Sequence, residues 1–402
     1  MAWFVPGRIE VFGKHTDYAG GRSILAASAQ GVSASVTSPD PGASWDQGVV
    51  HARSTAVPSA VTLKAGQAPS LAAGHWGHYV QATVDRLTTN FGPLRPAAVE
   101  IDSTLPLASG MSSSSALVCA VALALADHND LWARENWGQN ITDFTDLAAY
   151  LATIENGLDY KELPGARGVG TFGGSQDHTA MLNCQPGELG LFQFSPTQSL
   201  DSFPMPTDHT FVVAVSGALA EKTGAAKEGY NNASLQAGRL LDLWNEHAGT
   251  SYTALAKALE NEGATEELFA LTAHDPLLSQ RLTAYTTEMD QAIPAAIEAL
   301  AANDVAALGK AATLSHQNAD ANLGNQIPET NYLQQLALDI GAPASSAFGA
   351  GFGGSVWAMV PEGSAEEFAE EWLGRYLEHF PQRGQKASTL ITTPSAAAHR
   401  IP

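Results

Sequence analysis

Three glycine-rich segments gather the side chains in this sequence that could do chemistry. The first is Pro6-Gly-Arg-Ile-Glu-Val-Phe-Gly-Lys-His-Thr-Asp-Tyr-Ala-Gly-Gly21, which sets Arg8, Lys14, His15 and Asp17 around a turn that follows an apolar strand. An aspartate accepts from hydroxyls, and an imidazole can donate or accept. The turn therefore suits hydroxyl recognition, or else a solvated surface. The second is Leu105-Pro-Leu-Ala-Ser-Gly110-Met-Ser-Ser-Ser-Ser-Ala116, where a glycine loop opens into the apolar run 116–126. Backbone N–H groups and the positive end of a helix favour an anion there, and serine hydroxyls add donors and oxygen ligands for Mg²⁺. A single serine would suffice as a helix cap; four in a row after glycine exceed that need and point to phosphate. The third is Gly349-Ala-Gly351-Phe-Gly353-Gly354-Ser355, which runs into a strand. It reads either as a tight hairpin or as backbone that approaches a phosphate or sugar closely.

Other chemistries find no support. GxGxxG occurs at 168–173 and at 349–354, but neither copy follows a strand and opens a helix, which argues against a dinucleotide fold. GxxxxGK[ST], the protein-kinase set and the GxSxG elbow are missing. Twenty Lys and Arg stand against 41 Asp and Glu, a formal charge of −21. That balance excludes a basic footprint for nucleic acid or for an anionic membrane. The apolar run 116–126 is too short to span a bilayer. Residues 1–6 lack the features of a secretory leader, and two cysteines cannot build a disulfide framework. The expectation is a cytoplasmic protein whose partners are small molecules.

The elements that must position these segments can be read from periodicity. Strands are expected at 3–11, 31–37, 48–53, 97–101, 211–215, 355–360 and 387–393. Helices are expected at 79–87, 116–126, 142–156, 230–247, 252–260, 266–271, 280–300, 305–316 and 365–379. With no repeat and no low-complexity linker, this is a two-part α+β body with a cleft between the parts.

The three segments, in this order, resemble the signature motifs of the GHMP kinases, most closely the galactokinase branch. That branch carries Gly-Arg-Val-Asn-Leu-Ile-Gly-Glu-His-Thr-Asp-Tyr-Asn-Gly-Gly, then Pro-x-Gly-x-Gly-Leu-Ser-Ser-Ser-Ala-Ala, then Gly-Gly-Gly-Phe-Gly-Gly. Gly173-Gly-Ser-Gln-Asp177-His is similar to its Cys-Gly-Ile-Met-Asp-Gln, and the likeness extends to 76–79, Tyr230, Ser315-His316 and the tail 394–400. The resemblance implies two α+β domains, 1–200 with the phosphate loop and sugar turn and 201–402, and an active site between them. It implies transfer of the ATP γ-phosphoryl group to a sugar 1-hydroxyl. Asp177 would accept or orient the hydroxyl proton, and Arg8 would stabilise developing charge. Gly110, Ser112, Ser113, Ser114 and Ser115 would hold ATP, with Trp76 near the adenine. Ser114 and Glu155 would face Mg²⁺. His15, Asp17, Gly174 and Tyr230 would bind the sugar.

The chain departs from that pattern at Lys14, which stands where the branch has Glu, and at Glu10, which stands for Asn. Asn231 and Asn232 follow Tyr230 where Arg is usual. A cation at position 14 would suit an anionic C6 group, such as a uronate, or else pair with Glu10 or point to solvent. Two other readings differ in kind: a catalytically silent sensor of sugar and ATP, and a kinase for a non-sugar alcohol. Retention of Arg8, Ser112 to Ser115 and Asp177 argues against the first, and His15-Thr-Asp-Tyr with Tyr230 against the second.

Overall fold

The computed structural model describes residues 2–38, 46–57, 59–106, 109–218 and 224–402, the side chains of 224–226 excepted. Leu107 and Ala108 of the second glycine-rich segment lie outside the described residues. The strands are β1 (Ala2–Phe12), β2 (Arg22–Thr37), β3 (Val49–Ser54), β4 (Ser59–Lys64), β5 (Ala97–Ser103), β6 (Glu188–Gln193), β7 (Gln198–Pro204), β8 (His209–Val215), β9 (Ala344–Phe348), β10 (Ser355–Pro361), β11 (Ser388–Thr392) and β12 (His399–Ile401). An eight-stranded sheet runs β12-β1-β2-β5-β3-β4, with β6 on the far half of β2 and β7 on β6; a four-stranded sheet runs β11-β8-β10-β9. Only the β3–β5 pair is parallel among the described strands.

The helices are α1 (Gly77–Phe91), α2 (Ser113–His128), α3 (Glu135–Asn140), α4 (Phe144–Asn156), α5 (Gln176–Asn183), α6 (Gly224–Ala248), α7 (Leu255–Leu259), α8 (Ala264–Leu271), α9 (Pro276–Thr287), α10 (Ile293–Ala301), α11 (Val305–Asn318), α12 (Pro328–Asp339) and α13 (Ala365–His379). Helix α2 is apolar all round and buried from Ser115 to Ala126, the mark of a helix enclosed on every side. It packs on β1, β2 and α1, so the serines at its N-terminus cannot drift from the strand that carries Arg8.

Alternation builds the second sheet. Phe211, Val213, Trp357 and Met359 join the large core that α2 centres, while Val212, Ala214, Val356, Ala358 and Val360 face α12 and α13. Both sheets thus share one core, which holds the walls of any cleft between them. A third cluster packs Leu240 and Trp244 of α6 on Leu278, Leu282 and Tyr285 of α9, with Ala19 from the first glycine-rich turn.

Several elements differ from the sequence expectation. The helix expected at 280–300 is two helices joined by a π turn, Glu288–Ala292. Pro294 has no N–H to give to the preceding turn and crowds its carbonyl, so the regular ladder breaks just before it. The helix expected at 252–260 is only α7. The Tyr252 backbone is taken instead by Asn245, whose Oδ1 accepts from its N–H at 3.0 Å and whose Nδ2 donates to its carbonyl at 2.9 Å. The helix expected from 142 starts at Phe144, with Asp143 as its N-cap, the side chain accepting from the Asp146 N–H. Strand β2 starts at Arg22, and α3, α5, α12, β4, β6, β7, β9 and β12 have no counterpart in the sequence expectation.

Gly309 of α11 is packed so closely on the chain before β9 that a Cβ there would lie 1.9 Å from the Pro343 carbonyl oxygen. Gly309→Ala should therefore destabilise the protein by about 1–3 kcal/mol. The expected result is a lower urea midpoint with an unchanged slope.

Candidate active site

Strand β1 carries Arg8 into a cavity of about 430 Å³. The residue is 3% exposed. Its Nε donates to Asp177 Oδ1 at 2.7 Å and its Nη1 to the Gly110 carbonyl at 2.6 Å. The guanidinium lies 5.8 Å from the centroid of the Phe348 ring. Asp177 stands in the first turn of α5, where the helix dipole favours a carboxylate. Its Oδ2 accepts from Ser112 Oγ. Ser112 is held at φ 57° as the residue before α2, which turns its hydroxyl back to Asp177. Ser115 Oγ is 2.5 Å from Glu155 Oε1 and 3.4 Å from Asp177 Oδ2. A hydroxyl has one proton, and the shorter contact gives it to Glu155. His178 Nε2 is 3.5 Å from the same Glu155 oxygen.

The first glycine-rich turn is fastened by groups distant in sequence. Glu288 Oε1, in the π turn, accepts from the Gly13 N–H at 2.7 Å. Arg281 Nη2 donates to the His15 carbonyl at 2.7 Å. His15 takes the left-handed conformation, φ 56°, and its Nε2 is 3.0 Å from the Ala350 carbonyl while its Nδ1 is 2.9 Å from Tyr18 Oη. A carbonyl only accepts, so Nε2 carries the proton and Nδ1 takes one from the tyrosine. Burial pushes the imidazole down to about 4, so it is neutral at pH 7. Asp17 Oδ2 accepts from the Gln176 N–H at 3.2 Å. Gly174 abuts the same oxygen; a Cβ there would lie 2.6 Å from it. Burial pushes Asp17 up to about 6 and the Tyr230 phenol well above its usual value.

Three surfaces meet in the cavity. Val32, Val57, Trp76, Tyr79, Ile101 and Leu117 supply an apolar wall; Gly110, Ser112, Ser113 and Ser114 supply the loop that opens α2. Glu10, His15, Asp17, Gly174, Gln176 and Tyr230 supply a polar wall. Trp76 is pinned by its Nε1, which donates to Ser59 Oγ at 2.8 Å. The third glycine-rich segment is the loop between the paired strands β9 and β10, and its Gly349 and Ala350 line the same cavity. An apolar slot, a loop of amides and hydroxyls, and a hydroxyl-binding wall about one Arg–Asp pair form a site for a nucleotide and a polyol.

The comparisons agree with that geometry. Residues 1–38 match the galactokinase galactose-binding signature, 78–161 the GHMP kinases N terminal domain, and 296–379 the GHMP kinases C terminal domain. The chain belongs to the GHMP kinases. It is 25% identical to a galactokinase of Streptomyces coelicolor over 99% of this chain and 94% of the relative. It is 26% identical to a galactokinase of Haemophilus influenzae over 89% of this chain and 84% of the relative. Its fold follows the crystal structure of Lactococcus lactis galactokinase complexed with galactose, with TM-score 0.80, 20% identity and coverage of 100% of this chain and 95% of that one. Methanococcus jannaschii mevalonate kinase shares the fold at TM-score 0.60 and 14% identity, over 98% of each chain.

In this kinase Arg8, His15, Asp17, Trp76, Gly110, Ser112, Ser113, Ser114, Gly174, Asp177 and Tyr230 all line one cavity. Ser115 and Glu155 stand directly behind it. Lys14 does not line it. The side chain is buried, 5% exposed, and its Nζ donates to Ser315 Oγ at 2.8 Å, which in turn donates to Glu288 Oε1 at 2.9 Å. The cation serves the underside of the turn, neither hydrogen-bonded to Glu10 nor open to solvent. Asp177 sits on the short helix α5. Asn231 also has a definite place: its Oδ1 accepts from the Phe172 N–H at 3.0 Å and its Nδ2 donates to the Gly170 carbonyl at 3.1 Å, steadying the loop before Gly174. Gln176, Arg281 and Glu288 went unread. Arg281 and Glu288 share the stripe of Leu278, Leu282 and Tyr285, so two charges on an apolar helix face were the available signal.

Two measurements follow. Lys14→Glu would put a carboxylate beside Glu288 in place of a buried cation, and should cost about 3–5 kcal/mol of stability in urea. For Glu10, burial outweighs the Lys14 and Arg8 charges and pushes the carboxyl from 4.5 to about 7. A raised acid binds its proton more tightly in the fold, so its contribution to stability is full below pH 4.5 and is lost as pH rises through about 7. The melting temperature of Glu10→Gln should match that of the parent at low pH and rise relative to it across that window.

Proposed function

We propose that this kinase transfers the γ-phosphoryl group of ATP to the 1-hydroxyl of a galactose-like monosaccharide, releasing ADP and the sugar 1-phosphate. The observation that carries the reading is the Arg8–Asp177 pair, 2.7 Å apart, standing where the serine loop and the polyol wall meet. Asp177 receives the hydroxyl proton or aims the oxygen at phosphorus. Arg8 offsets the negative charge that builds on the transferred group. The backbone amides that open α2 and the hydroxyls of Ser112 to Ser114 cradle the phosphates. The apolar wall with Trp76 takes the base. Neutral His15, with Asp17, Tyr230 and the backbone at Gly174, holds the sugar hydroxyls. Domains 1–200 and 201–402 would each supply part of this cleft.

Mg²⁺ fits the donor set. Hard oxygens are what it takes, and it needs only one or two carboxylates beside phosphate oxygens and water. Glu155, buried behind Ser115, and the Ser114 hydroxyl on the cavity wall would hold it. When bound, it neutralises phosphate charge. Two buried, unpaired cysteines, Cys119 and Cys184, and a need for ATP suit the cytoplasm. No helix among the described residues is long and apolar enough to cross a membrane.

A uronate substrate loses its support, because Lys14 lies outside the cavity and the polar wall carries the carboxyl groups of Glu10, Asp17 and Asp177. A coupled ADP-release assay with galactose, galacturonate and mevalonate tests the reading. Release is expected with galactose alone, with product identified as the 1-phosphate by phosphorus NMR. Asp177→Asn should lower kcat by about 10²–10⁴. No sugar-dependent ADP release from the unaltered protein, or full activity of Asp177→Asn, would overturn it.

A further inference from the structure

We propose that Glu10 is a specificity residue whose Oε1 takes a hydroxyl on the side of the sugar ring away from the one phosphorylated. The inference rests on the sugar 1-kinase reading above.

Glu10 lines the cavity and is 3% exposed. Its two oxygens differ. Oε2 accepts from Gln176 Nε2 at 2.5 Å, while Oε1 is buried and has no hydrogen-bond partner in the protein. A buried carboxyl oxygen left unmatched is costly, and native structures rarely keep one without a reason. A ligand hydroxyl supplies the match, and it can do so whether Glu10 is ionised or protonated, because a hydroxyl both donates and accepts.

Strand geometry says which part of the sugar this would be. Arg8 and Glu10 are two residues apart on β1, so they share a face and stand about 6–7 Å from each other along it. Arg8 reaches the Gly110 carbonyl and Asp177, and so marks the phosphoryl loop. Glu10 turns to Gln176, whose N–H holds Asp17. One strand face thus spans a hexose ring, with the reacting oxygen at Arg8 and a distal hydroxyl at Glu10. Lys14, the other departure in this motif, is committed to Ser315 beneath the turn and leaves the distal position to Glu10.

The test is kcat/KM for galactose and its 2-, 3-, 4- and 6-deoxy derivatives with the parent enzyme, Glu10→Ala and Glu10→Gln. A site built to bind a hydroxyl rejects the analogue that lacks it. The parent should lose at least about tenfold, mostly in KM, on one of the 3-, 4- or 6-deoxy sugars. Glu10→Ala should weaken galactose by a similar factor and leave that deoxy sugar unchanged, so that the gap closes. Glu10→Gln should keep most of the gap, since its amide stands in the same place. Should Glu10→Ala fail to fold, the shorter Glu10→Asn withdraws the contact and should also close the gap. A gap that persists at every position in these variants, or a change confined to the 2-deoxy sugar, would overturn the role of Glu10 and leave the kinase reading intact. A parent enzyme that turns over no monosaccharide would overturn both.

Discussion

The site is arranged about one ion pair, Arg8 with Asp177, at the wall of the cavity. Arg8 is buried and Asp177 half-buried, and withdrawing charges from water costs more than their mutual attraction returns unless other bonds complete the shell. Here they do. The Gly110 carbonyl, the Phe348 ring and the Ser112 hydroxyl close around the pair. Gly110 and Ser112 belong to the loop before α2 and Phe348 to β9, so the pair is tolerable only when β1, α5, that loop and the edge of the second sheet are all in place. A site of this kind holds its geometry before any ligand arrives, which is the condition for electrostatic catalysis.

The packing explains how the chain achieves this. The all-apolar α2 is the hub of a core that both sheets share, and strict alternation in β8 and β10 lets the second sheet face that core on one side and α12 and α13 on the other. The overall charge of −21 would repel an anionic cosubstrate at long range. Arg8 and the amides opening α2 act at short range in a cavity with low-dielectric walls, where such groups count for most.

Much of this was legible in the residues. The long apolar run announced the hub helix, and the glycine-rich motifs named the cavity floor, because backbone that must approach a ligand tolerates few side chains. The 211–215 and 355–360 strands and the 365–379 helix lay open to periodicity. What periodicity could not show was direction. Lys14 and His15 are adjacent, yet one turns under the turn and the other into the cavity, a choice made by Arg281, Glu288 and Ser315, which no local pattern ties to residue 14. Helix α5 was hidden for a related reason: its eight residues are too few for a period, and tertiary contacts carry it. The π turn escaped because Pro294 sits inside an otherwise regular apolar stripe.

The Glu288 carboxylate has a consequence for how the protein could be divided. It clasps the Gly13 amide from 275 positions downstream, while Arg281 grips the carbonyl of His15 and Ala350 receives its imidazole. The N-terminal portion therefore contains Arg8, His15, Asp17 and Asp177, but not the Arg281, Glu288 and Ala350 groups that fasten the first glycine-rich turn. Severed between the sheets, it would keep the letters of the recognition motif and lose their spelling.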